Sequence, residues 1–453
     1  MERFDLIVIG AGPGGYVAAL EAAQAGLHTA VVERGPLGGT CLNRGCIPTK
    51  TLLHTALLAA EAKRGAAIGL RGEITVDFDA LRQRKNDVAR QLSEGIGQLF
   101  SRQKIALFSG SARITGPETV QVESEGQLTQ ILSAERILVA TGGESVRLPI
   151  PGLDLPGVFD SEGLLDEVRP IDRLVIIGGG VIGMEFAGLY AALGSQVTVL
   201  EAAGSILANL DREFGQSLKM LLKKQGADIH TGVFLTGIER SEEGLICRYT
   251  EKEAERSVTA DAVLTAVGRR PAVEGLFDPA FLPAMEKGCI AVDEHYRTSL
   301  PGIWAVGDAI GGIQLAHLAS AEGINAVHAM LGRPMPMRTD LVPSCVYTSP
   351  EIASVGLTAD EAKRQGLPVT TRKIPMGANG KTVLEGQERS FMKLVSEPQT
   401  GRILGAQLMC GRATDLIGEF ATAIANGLTC AQLAGVIRPH PTYEEAIGEL
   451  TRE

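Results

Sequence analysis

Two cysteines near the N-terminus are the residues of this chain best suited to chemistry. Cys41 and Cys46 lie in the segment GGTCLNRGCIPTK, which covers residues 38–50. Paired thiols can form a disulfide that is reduced and re-formed, but this spacing also occurs in metal ligands, in buried structural pairs and in cysteines without a role. The residues around the pair must therefore distinguish these cases.

Those neighbouring residues favour a reactive disulfide. Glycines before Cys41 and between the two cysteines give the backbone freedom to bring the Cα atoms within about 4.4–6.8 Å, as a disulfide requires. Pro48 fits the first turn of a helix, which places Cys46 at the positive helix end, where a thiolate is favoured. Arg44 and Lys50 add positive charge, whereas a structural pair would have apolar neighbours. The sequence therefore predicts a redox-active pair.

A glycine-rich motif occurs twice, each time between a strand-like and a helix-like segment. Its glycines are Gly10, Gly12 and Gly15 in the first copy and Gly178, Gly180 and Gly183 in the second. Glu33 and Glu201 each follow the first glycine of their copy by 23 positions, near the place where an acidic residue binds ribose hydroxyls. One such glutamate could be a solvated residue at a strand end. The matched pair favours two dinucleotide sites, each with a pyrophosphate at a helix N-terminus.

Two dinucleotide sites imply one electron carrier that is held permanently and one nucleotide that is exchanged. The first motif lies beside the cysteines, so it should hold the permanent carrier, and the second should bind a nicotinamide nucleotide. Glu201 would repel the 2′-phosphate of NADP, and residues 202–209 contain no Arg or Lys that could bind it. NAD is therefore favoured over NADP.

Three further segments end apolar strands in turns. Residues 137–143 and 262–271 each reach a glycine turn, and we expect them to cross between the two nucleotide-binding regions. Residues 302–308 end at Asp308, which is either a turn residue or a hydrogen-bond partner of a flavin polyol hydroxyl. From residue 337 onward the pattern changes to mixed strands and a helix over 415–426, which predicts a separate α+β domain.

The C-terminal segment carries the sequence HPTYEE at residues 440–445. Thr442 and Glu445 have the spacing of a capping box, which predicts that they begin a final helix. Glu445 could instead hold the imidazole of His440 in one tautomer, and His440 could be the base that thiol–disulfide exchange needs. The spacing alone leaves both interpretations open.

Composition limits the class of protein. A net charge of −10 argues against nucleic acid or an anionic membrane as the main partner. No apolar run approaches the roughly 18 residues of a membrane span, and the N-terminus does not resemble a signal peptide. The seven cysteines do not form a secreted disulfide framework. We therefore expect a cytoplasmic protein without a metal site.

Taken together, the motifs resemble those of the pyridine nucleotide–disulfide oxidoreductase family, most closely its dihydrolipoyl dehydrogenase branch. The resemblance runs from Gly10 to Glu445. It rests on GGTCLNRGCIPTK, GGGVIGMEFA, AVGD followed by LAH, YTSPE and HPTYEE. Arg44, Ala272 and Pro439 depart from the family pattern without removing a catalytic group, and the effect of Arg44 on the thiol pKa values stays open.

This resemblance implies an α/β fold with two Rossmann-like dinucleotide-binding domains and a C-terminal α+β dimerisation domain. The chain would divide into an FAD-binding part with the redox disulfide (1–147), an NAD-binding domain (148–268), a segment returning to the FAD domain (269–336) and an interface domain (337–453). The unit would be a homodimer that serves the lipoyl-bearing domain of a 2-oxoacid dehydrogenase or glycine-cleavage complex. Each active site would combine the cysteines of one subunit with the His–Glu pair of the other.

The resemblance also implies the reaction. Dihydrolipoyl groups would reduce the Cys41–Cys46 disulfide, with Cys41 exchanging with the substrate, and His440 would accept the thiol proton. Cys46 would pass electrons through FAD to NAD. Further residues would bind or stabilise the cofactors: Lys50 paired with Glu185, Thr141, Gly142, Gly268, Asp308 and the helix that begins near Leu315 and Ala316.

Two other functions are compatible with parts of the sequence. An NADPH-dependent reductase of glutathione or another disulfide would share most motifs, but Glu201 and the missing basic residues count against it. A scaffold subunit with a vestigial flavin would not need the intact cysteine and His–Glu motifs.

Overall fold

The structure, a computed structural model, describes residues 2–452. The N-terminal part begins with a βαβ unit and ends in an antiparallel extension. Its elements are β1 (Glu2–Ile9), α1 (Pro13–Gln24), β2 (Thr29–Glu33), α2 (Gly39–Arg44), α3 (Cys46–Lys63), α4 (Phe78–Arg102), β3 (Ala106–Ser109), β4 (Ser111–Gly116), β5 (Thr119–Ser124) and β6 (Gln127–Val139). The strand order is β3-β2-β1-β6-β5-β4, in which the first four strands run parallel. Residues 6–9 of β1 are all buried, as expected of a parallel strand covered on both faces.

The middle part contains a second parallel sheet. Its elements are β7 (Gly143–Ser145), β8 (Val158–Asp160), α5 (Ser161–Asp166), β9 (Arg173–Ile177), α6 (Val181–Leu193), β10 (Gln196–Glu201), α7 (Arg212–Lys224), β11 (Asp228–Thr231), β12 (Val233–Ser241), β13 (Gly244–Glu251), β14 (Ala254–Ala260), β15 (Ala262–Thr265) and β16 (Arg269–Pro271). The parallel order is β11-β10-β9-β15-β8, and β12, β13 and β14 form an antiparallel sheet beside it. β7 pairs with β16, so the two segments expected to be crossings lie side by side.

The chain then returns to the first sheet. This part contains β17 (Met285–Glu286), β18 (Cys289–Ile290), β19 (Ile303–Ala305), a 3-10 turn (Gly307–Ile310) and α8 (Ala316–Met330). β19 pairs in parallel with β6 and becomes the seventh strand of the first sheet. The turn that follows β19 carries Asp308. The return therefore delivers Asp308 and the start of α8 to the same sheet as the first glycine motif.

The C-terminal part is an antiparallel sheet with helices. Its elements are β20 (Ser344–Val346), β21 (Glu351–Gly356), α9 (Ala359–Gln365), β22 (Thr370–Pro375), α10 (Gly380–Leu384), β23 (Phe391–Ser396), β24 (Ile403–Cys410), α11 (Ala413–Ala425), α12 (Cys430–Ala434) and α13 (Glu445–Thr451). The strand order is β20-β21-β24-β23-β22. Apolar residues of α11, α12 and α13 pack with this sheet in one cluster. The fold class expected from the sequence is confirmed, while the predicted domain boundaries stay a prediction.

One hydrophobic cluster joins three of these parts. Leu52 and Leu53 of α3 belong to the same buried cluster as Met184 and Phe186 of α6, and this cluster extends to Val346 of the C-terminal sheet. Burying a leucine side chain contributes about 1.5–3 kcal/mol, so this packing holds α3 firmly against α6. Because α3 begins at Cys46, the packing also fixes the cysteine segment relative to the second glycine motif.

The tight turn of the second motif generates a testable prediction. A Cβ atom at Gly183 would lie 2.0 Å from the carbonyl oxygen of Gly178, so the β9–α6 turn would have to move. We expect Gly183→Ala to lower the free energy of unfolding by about 1–3 kcal/mol, measured by urea denaturation. Gly188→Ala is the matched control in the same helix, because among the described residues its Cβ meets no atom within 4 Å. Equal stability of the two variants would contradict this account.

Candidate active site

The two glycine motifs form equivalent turns between a strand and a helix. Gly10 and Gly178 follow β1 and β9 with positive φ angles of 98° and 111°, which a residue with a Cβ atom adopts only with strain. Gly12 and Gly180 are the N-caps of α1 and α6, and neither receives a side-chain capping bond. The free backbone N–H groups and the positive helix end are suited to an anionic group such as a pyrophosphate.

Glu33 and Glu201 lie at the ends of β2 and β10, beside these turns. Glu33 accepts hydrogen bonds from the N–H groups of Ala11 (2.6 Å) and Gly35 (2.8 Å). Glu201 accepts hydrogen bonds from Gly179 and from Ala203 (2.5 Å). Both carboxylates therefore stabilise the turns of their motifs, and their binding of ribose hydroxyls stays a prediction.

One cleft of about 1110 Å³ connects both motifs with the cysteines. Most of the site residues predicted from the sequence line it: Gly10, Gly12, Glu33, Cys41, Cys46, Lys50, Thr141, Gly142, Gly178, Gly180, Glu185, Glu201, Gly268, Asp308 and Ala316. Gly15 and Gly183 lie behind the lining, where each packs against the first glycine of its turn. In the described part of the chain, residues 2–452, neither His440 nor Glu445 lines this cleft.

The two cysteines have different electrostatic environments. Cys46 is the first residue of the 18-residue helix α3. A hydrogen bond from Cys41 and the charge of Lys50 lower the pKa of Cys46 to about 7, against the effects of burial and of Glu185. The pKa of Cys41 is raised, because its thiol donates to Cys46 and is partly buried. The geometry therefore favours Cys46 as the thiolate and Cys41 as the protonated thiol.

Lys50 and Glu185 connect α3 to α6. The Nζ atom of Lys50 lies 2.9 Å and 2.7 Å from the two carboxylate oxygens of Glu185. The Glu185 side chain is only 4% exposed, whereas that of Lys50 is 29% exposed and borders the cleft. The pair thus places a positive charge beside the cysteines and balances a buried negative charge.

Arg44 is paired with a carboxylate of a neighbouring helix. Its guanidinium lies 3.4 Å from the carboxylate of Glu162 in α5, and it is not among the groups that shift the pKa of either cysteine. Arg44 belongs to the short helix that also carries Cys41, and it lines the same cleft as the thiols. The sequence left the effect of Arg44 on the thiol pKa values open, and Glu162 offsets the charge that would cause it.

His440 and Glu445 are in contact, and one of the two bonds of a capping box is present as well. Nδ1 of His440 lies 2.8 Å from a carboxylate oxygen of Glu445, and the other oxygen accepts a hydrogen bond from the N–H of Thr442 (3.0 Å). These two bonds hold the pKa of Glu445 below its usual value, with the Thr442 N–H contributing most. The hydroxyl of Thr442 donates to the carbonyl of Pro439 instead of capping a helix, and α13 begins at Glu445. Glu445 therefore orients the imidazole, whose side chain is 75% exposed.

Two residues at or beside the site received no role there from the sequence. Tyr347 lines the cleft, its N–H donates to Glu185 (3.1 Å), and its ring lies under the ammonium of Lys50. Buried Glu322 accepts a hydrogen bond from the N–H of Gly307 (2.7 Å) beside Asp308, and burial raises the pKa of Glu322 to about 7. Neither residue has a spacing signal, because their partners are distant in sequence.

The comparisons with known proteins agree with this geometry. Residues 4–323 match the family described as pyridine nucleotide-disulphide oxidoreductase, and residues 342–451 match the dimerisation domain of the same family. The chain belongs to this family. It is 39% identical over 461 residues to dihydrolipoyl dehydrogenase of Bacillus subtilis (strain 168), covering 99% of this chain and 97% of that protein.

Solved structures of family members have the same fold over the whole chain. The crystal structure of LpdA from Mycobacterium tuberculosis has a TM-score of 0.91 at 25% identity and covers 100% of this chain and 99% of its own. The Cu(II) complex of RclA from Escherichia coli, described as an HOCl-induced flavoprotein disulfide reductase, has a TM-score of 0.89 at 31% identity, with coverage of 100% and 99%. The protein is thus a flavoprotein disulfide oxidoreductase, and the predicted cofactors FAD and NAD are confirmed.

The residues of the cleft fit these cofactors. The hydroxyl of Thr141 is buried and has no hydrogen-bond partner among the described residues, so a polar ligand group in the cleft would satisfy it. A Cβ at Gly180 or Gly142 would meet no described atom within 4 Å, which leaves the backbone open to close approach by a ligand. Residues 202–209, which follow Glu201, contain no Arg or Lys that could bind the 2′-phosphate of NADP. This favours NAD over NADP.

Residues 2–452 contain neither a helix suited to span a membrane nor a cluster of metal ligands. None of the helices there is both long and apolar enough to span a membrane. No group of three or more His, Cys, Asp or Glu side chains in that range could hold a metal ion.

The charge of Lys50 generates a testable prediction about Cys46. In the reduced enzyme, Lys50→Met should raise the pH midpoint of Cys46 alkylation by iodoacetamide by about one unit, because an adjacent positive charge stabilises the thiolate. The rate would be followed by mass spectrometry of the Cys46 peptide. Arg44→Met is the matched control and should leave the midpoint near 7. If Arg44→Met shifts the midpoint and Lys50→Met does not, Arg44 rather than Lys50 supplies the charge that stabilises the Cys46 thiolate.

Proposed function

We propose that this protein oxidises dihydrolipoyl groups and transfers their electrons to NAD through the Cys41–Cys46 disulfide and FAD. The observation that supports this most strongly is the single cleft, which is lined by both cysteines and by both glycine motifs. Glu201 beside the second motif favours NAD, the acceptor that an oxidising direction requires. Similarity to the Bacillus subtilis dihydrolipoyl dehydrogenase supports a dithiol substrate of the lipoyl type.

The cysteines would exchange with the substrate in two steps. A substrate thiolate attacks Cys41, which forms a mixed disulfide and releases Cys46 as a thiolate beside Lys50. The second substrate thiol gives its proton to His440 and attacks the substrate sulfur of the mixed disulfide, so that the substrate leaves as a disulfide and Cys41 is released as a thiolate. The substrate has then lost two electrons and two protons. The low pKa of Cys46 makes it the better leaving group in the first step.

Each cofactor would be held by one motif and by residues at strand ends. Gly10, Gly12, Gly15, Glu33, Thr141, Gly142, Asp308 and Ala316 would hold FAD, while Gly178, Gly180, Gly183, Glu201 and Gly268 would hold NAD. When bound, FAD supplies a two-electron carrier next to the thiols and NAD supplies the final hydride acceptor. Lys50 would place its charge where negative charge develops, and Glu185 would keep its ammonium in position.

His440 would act as the base of the exchange, oriented by Glu445. Its exposure and its position outside the cleft of its own chain support a site completed by a second subunit. The dimerisation domain at residues 342–451 contains His440, so a homodimer could bring His440 of the partner subunit to Cys41. We further propose that the electron donor is a lipoyl-bearing domain of a 2-oxoacid dehydrogenase or glycine-cleavage complex, and that the compartment is the cytoplasm.

A reductase of another disulfide is the second candidate. The similarity to RclA over the whole chain supports it, since that protein is described as a flavoprotein disulfide reductase. A glutathione-type enzyme that uses NADPH is less favoured, because the acidic Glu201 and the uncharged segment after it would reject the 2′-phosphate.

The deciding experiment is a steady-state assay of the FAD-loaded enzyme with dihydrolipoamide, run with NAD and with NADP. Glutathione disulfide with NADH or NADPH would be assayed in parallel. The proposal expects NAD-dependent oxidation of dihydrolipoamide to be much faster than either glutathione reaction. Preferential use of NADPH and glutathione disulfide would replace it with the second candidate.

Nucleotide preference provides a prediction at Glu201. The double substitution Glu201→Ala/Ala202→Arg should raise the NADP/NAD ratio of kcat/KM by about tenfold or more, because a guanidinium can bind the 2′-phosphate that a carboxylate repels. The matched control Glu201→Ala/Ala202→Gln removes the repulsion but lacks the new charge, so its NADP/NAD ratio should rise less than that of the arginine variant. An unchanged ratio in the arginine variant would remove Glu201 from the specificity argument.

Subunit sharing provides a second prediction. A mixed dimer would carry Cys41→Ser in one subunit and His440→Ala in the other. Neither homodimer should turn over at an appreciable rate, since one lacks the exchange thiol and the other the base. If the site is shared, the mixed dimer keeps one complete cysteine–histidine combination and recovers up to about half of the wild-type activity. A mixed dimer as inactive as both homodimers would show that each subunit builds its own site.

A further inference from the structure

Tyr347 contacts both members of the Lys50–Glu185 pair from a different part of the chain. It directly follows β20 of the C-terminal sheet. Its backbone N–H donates to Glu185 Oε1 at 3.1 Å, and its ring centroid lies 4.6 Å from Nζ of Lys50. A Lys ammonium at this distance is attracted by the negative face of an aromatic ring. Lys50 is therefore held by a carboxylate and by an aromatic ring.

The ring of Tyr347 is itself held in place. Val346, the residue before it, belongs to the buried cluster that includes Leu52 and Leu53 of α3. Tyr347 itself is partly buried and packs against the same cluster. Burial raises the pKa of the Tyr347 phenol, so it stays neutral at physiological pH. The ring is thus a packed, uncharged side chain next to the ammonium of Lys50.

We propose that Tyr347 is a positioning residue that holds the ammonium of Lys50 beside Cys46. The ring leaves the ammonium less access to water and prevents the flexible lysine side chain from turning into the cleft. The proposal deepens the proposed function, since it rests on Cys46 being the thiol that transfers electrons. It also connects the redox centre to the C-terminal part of the chain, to which Tyr347 belongs.

The effect of Tyr347 on Cys46 must pass through Lys50. The titratable groups that act on Cys46 are Cys41, Lys50 and Glu185, and Tyr347 is not among them. If the ring is removed, water reaches Lys50 and weakens its field at Cys46. The Cys46 thiolate is then less stable, and its formation shifts to higher pH. A side chain that only fills space would give no such dependence on Lys50.

The test is the pH profile of Cys46 alkylation by iodoacetamide in the reduced, FAD-loaded enzyme, resolved by mass spectrometry. Tyr347→Leu removes the ring and should raise the midpoint by about half a pH unit. Tyr347→Phe keeps the ring and should stay at the wild-type midpoint. In a Lys50→Met background, Tyr347→Leu should cause no further shift, because the residue through which it acts is gone.

Two results would overturn the proposal: an unchanged midpoint in Tyr347→Leu, or an equal shift with and without Lys50. If Tyr347→Leu does not retain FAD, Tyr347→Met replaces it, since methionine fills the volume without an aromatic ring. Wild-type turnover of dihydrolipoamide is measured in parallel. Absent turnover with the expected midpoint shifts would refute the proposed substrate while leaving the role of Tyr347 intact.

Discussion

The active site depends on one ion pair, in which the carboxylate is buried and the ammonium borders the cleft. Lys50 and Glu185 join α3, which carries Cys46, to α6, which begins at the second glycine motif. Removing one member of a buried pair typically costs on the order of 3–5 kcal/mol, because the other charge is left without a partner. Here the cost would be largest for loss of Lys50, since Glu185 is almost fully buried. The pair therefore fixes the spacing of two helices and supplies the charge beside the thiols at the same time.

That charge acts on two thiols that already differ in environment. Cys46 begins a helix and has a lowered pKa, whereas the pKa of Cys41 is raised. We infer that this asymmetry suits the thiols to separate tasks, because a disulfide exchanges fastest when the sulfur released has the lower pKa. Tight glycine turns, helix packing and the ion pair all contribute to this arrangement, so no single motif explains it.

Much of the fold could be predicted from local sequence. The glycines of both motifs predict tight turns, and Gly10 and Gly178 have the positive φ angles that such turns require. The apolar segments before them form the central strands β1 and β9. The expected proximity of Cys41, Cys46 and Lys50 to both motifs also follows from the resemblance to a known family. These features can be predicted from the sequence because the residues that determine them are close together in the chain or match the motifs of a known family.

Other features depend on contacts between distant segments. Arg44 looked like a cation near the thiols, but Glu162 lies on a helix that the sequence could not place beside it. Thr442 has the spacing of a capping residue, yet its hydroxyl donates to the carbonyl of Pro439, and Glu445 is shared between the Thr442 N–H and His440. Tyr347 gave no signal at all as a partner of Lys50, because its role exists only once three parts of the chain have packed together.

The central claim is that the Cys41–Cys46 pair is a redox centre in addition to the flavin. Anaerobic titration of the FAD-loaded enzyme with dithionite, followed by flavin absorbance and thiol count, tests this most directly. We expect the wild-type enzyme to take up two electrons per subunit more than Cys46→Ser, because only the wild type has a disulfide to reduce. Equal uptake by both proteins would show that the cysteines do not take part in electron transfer.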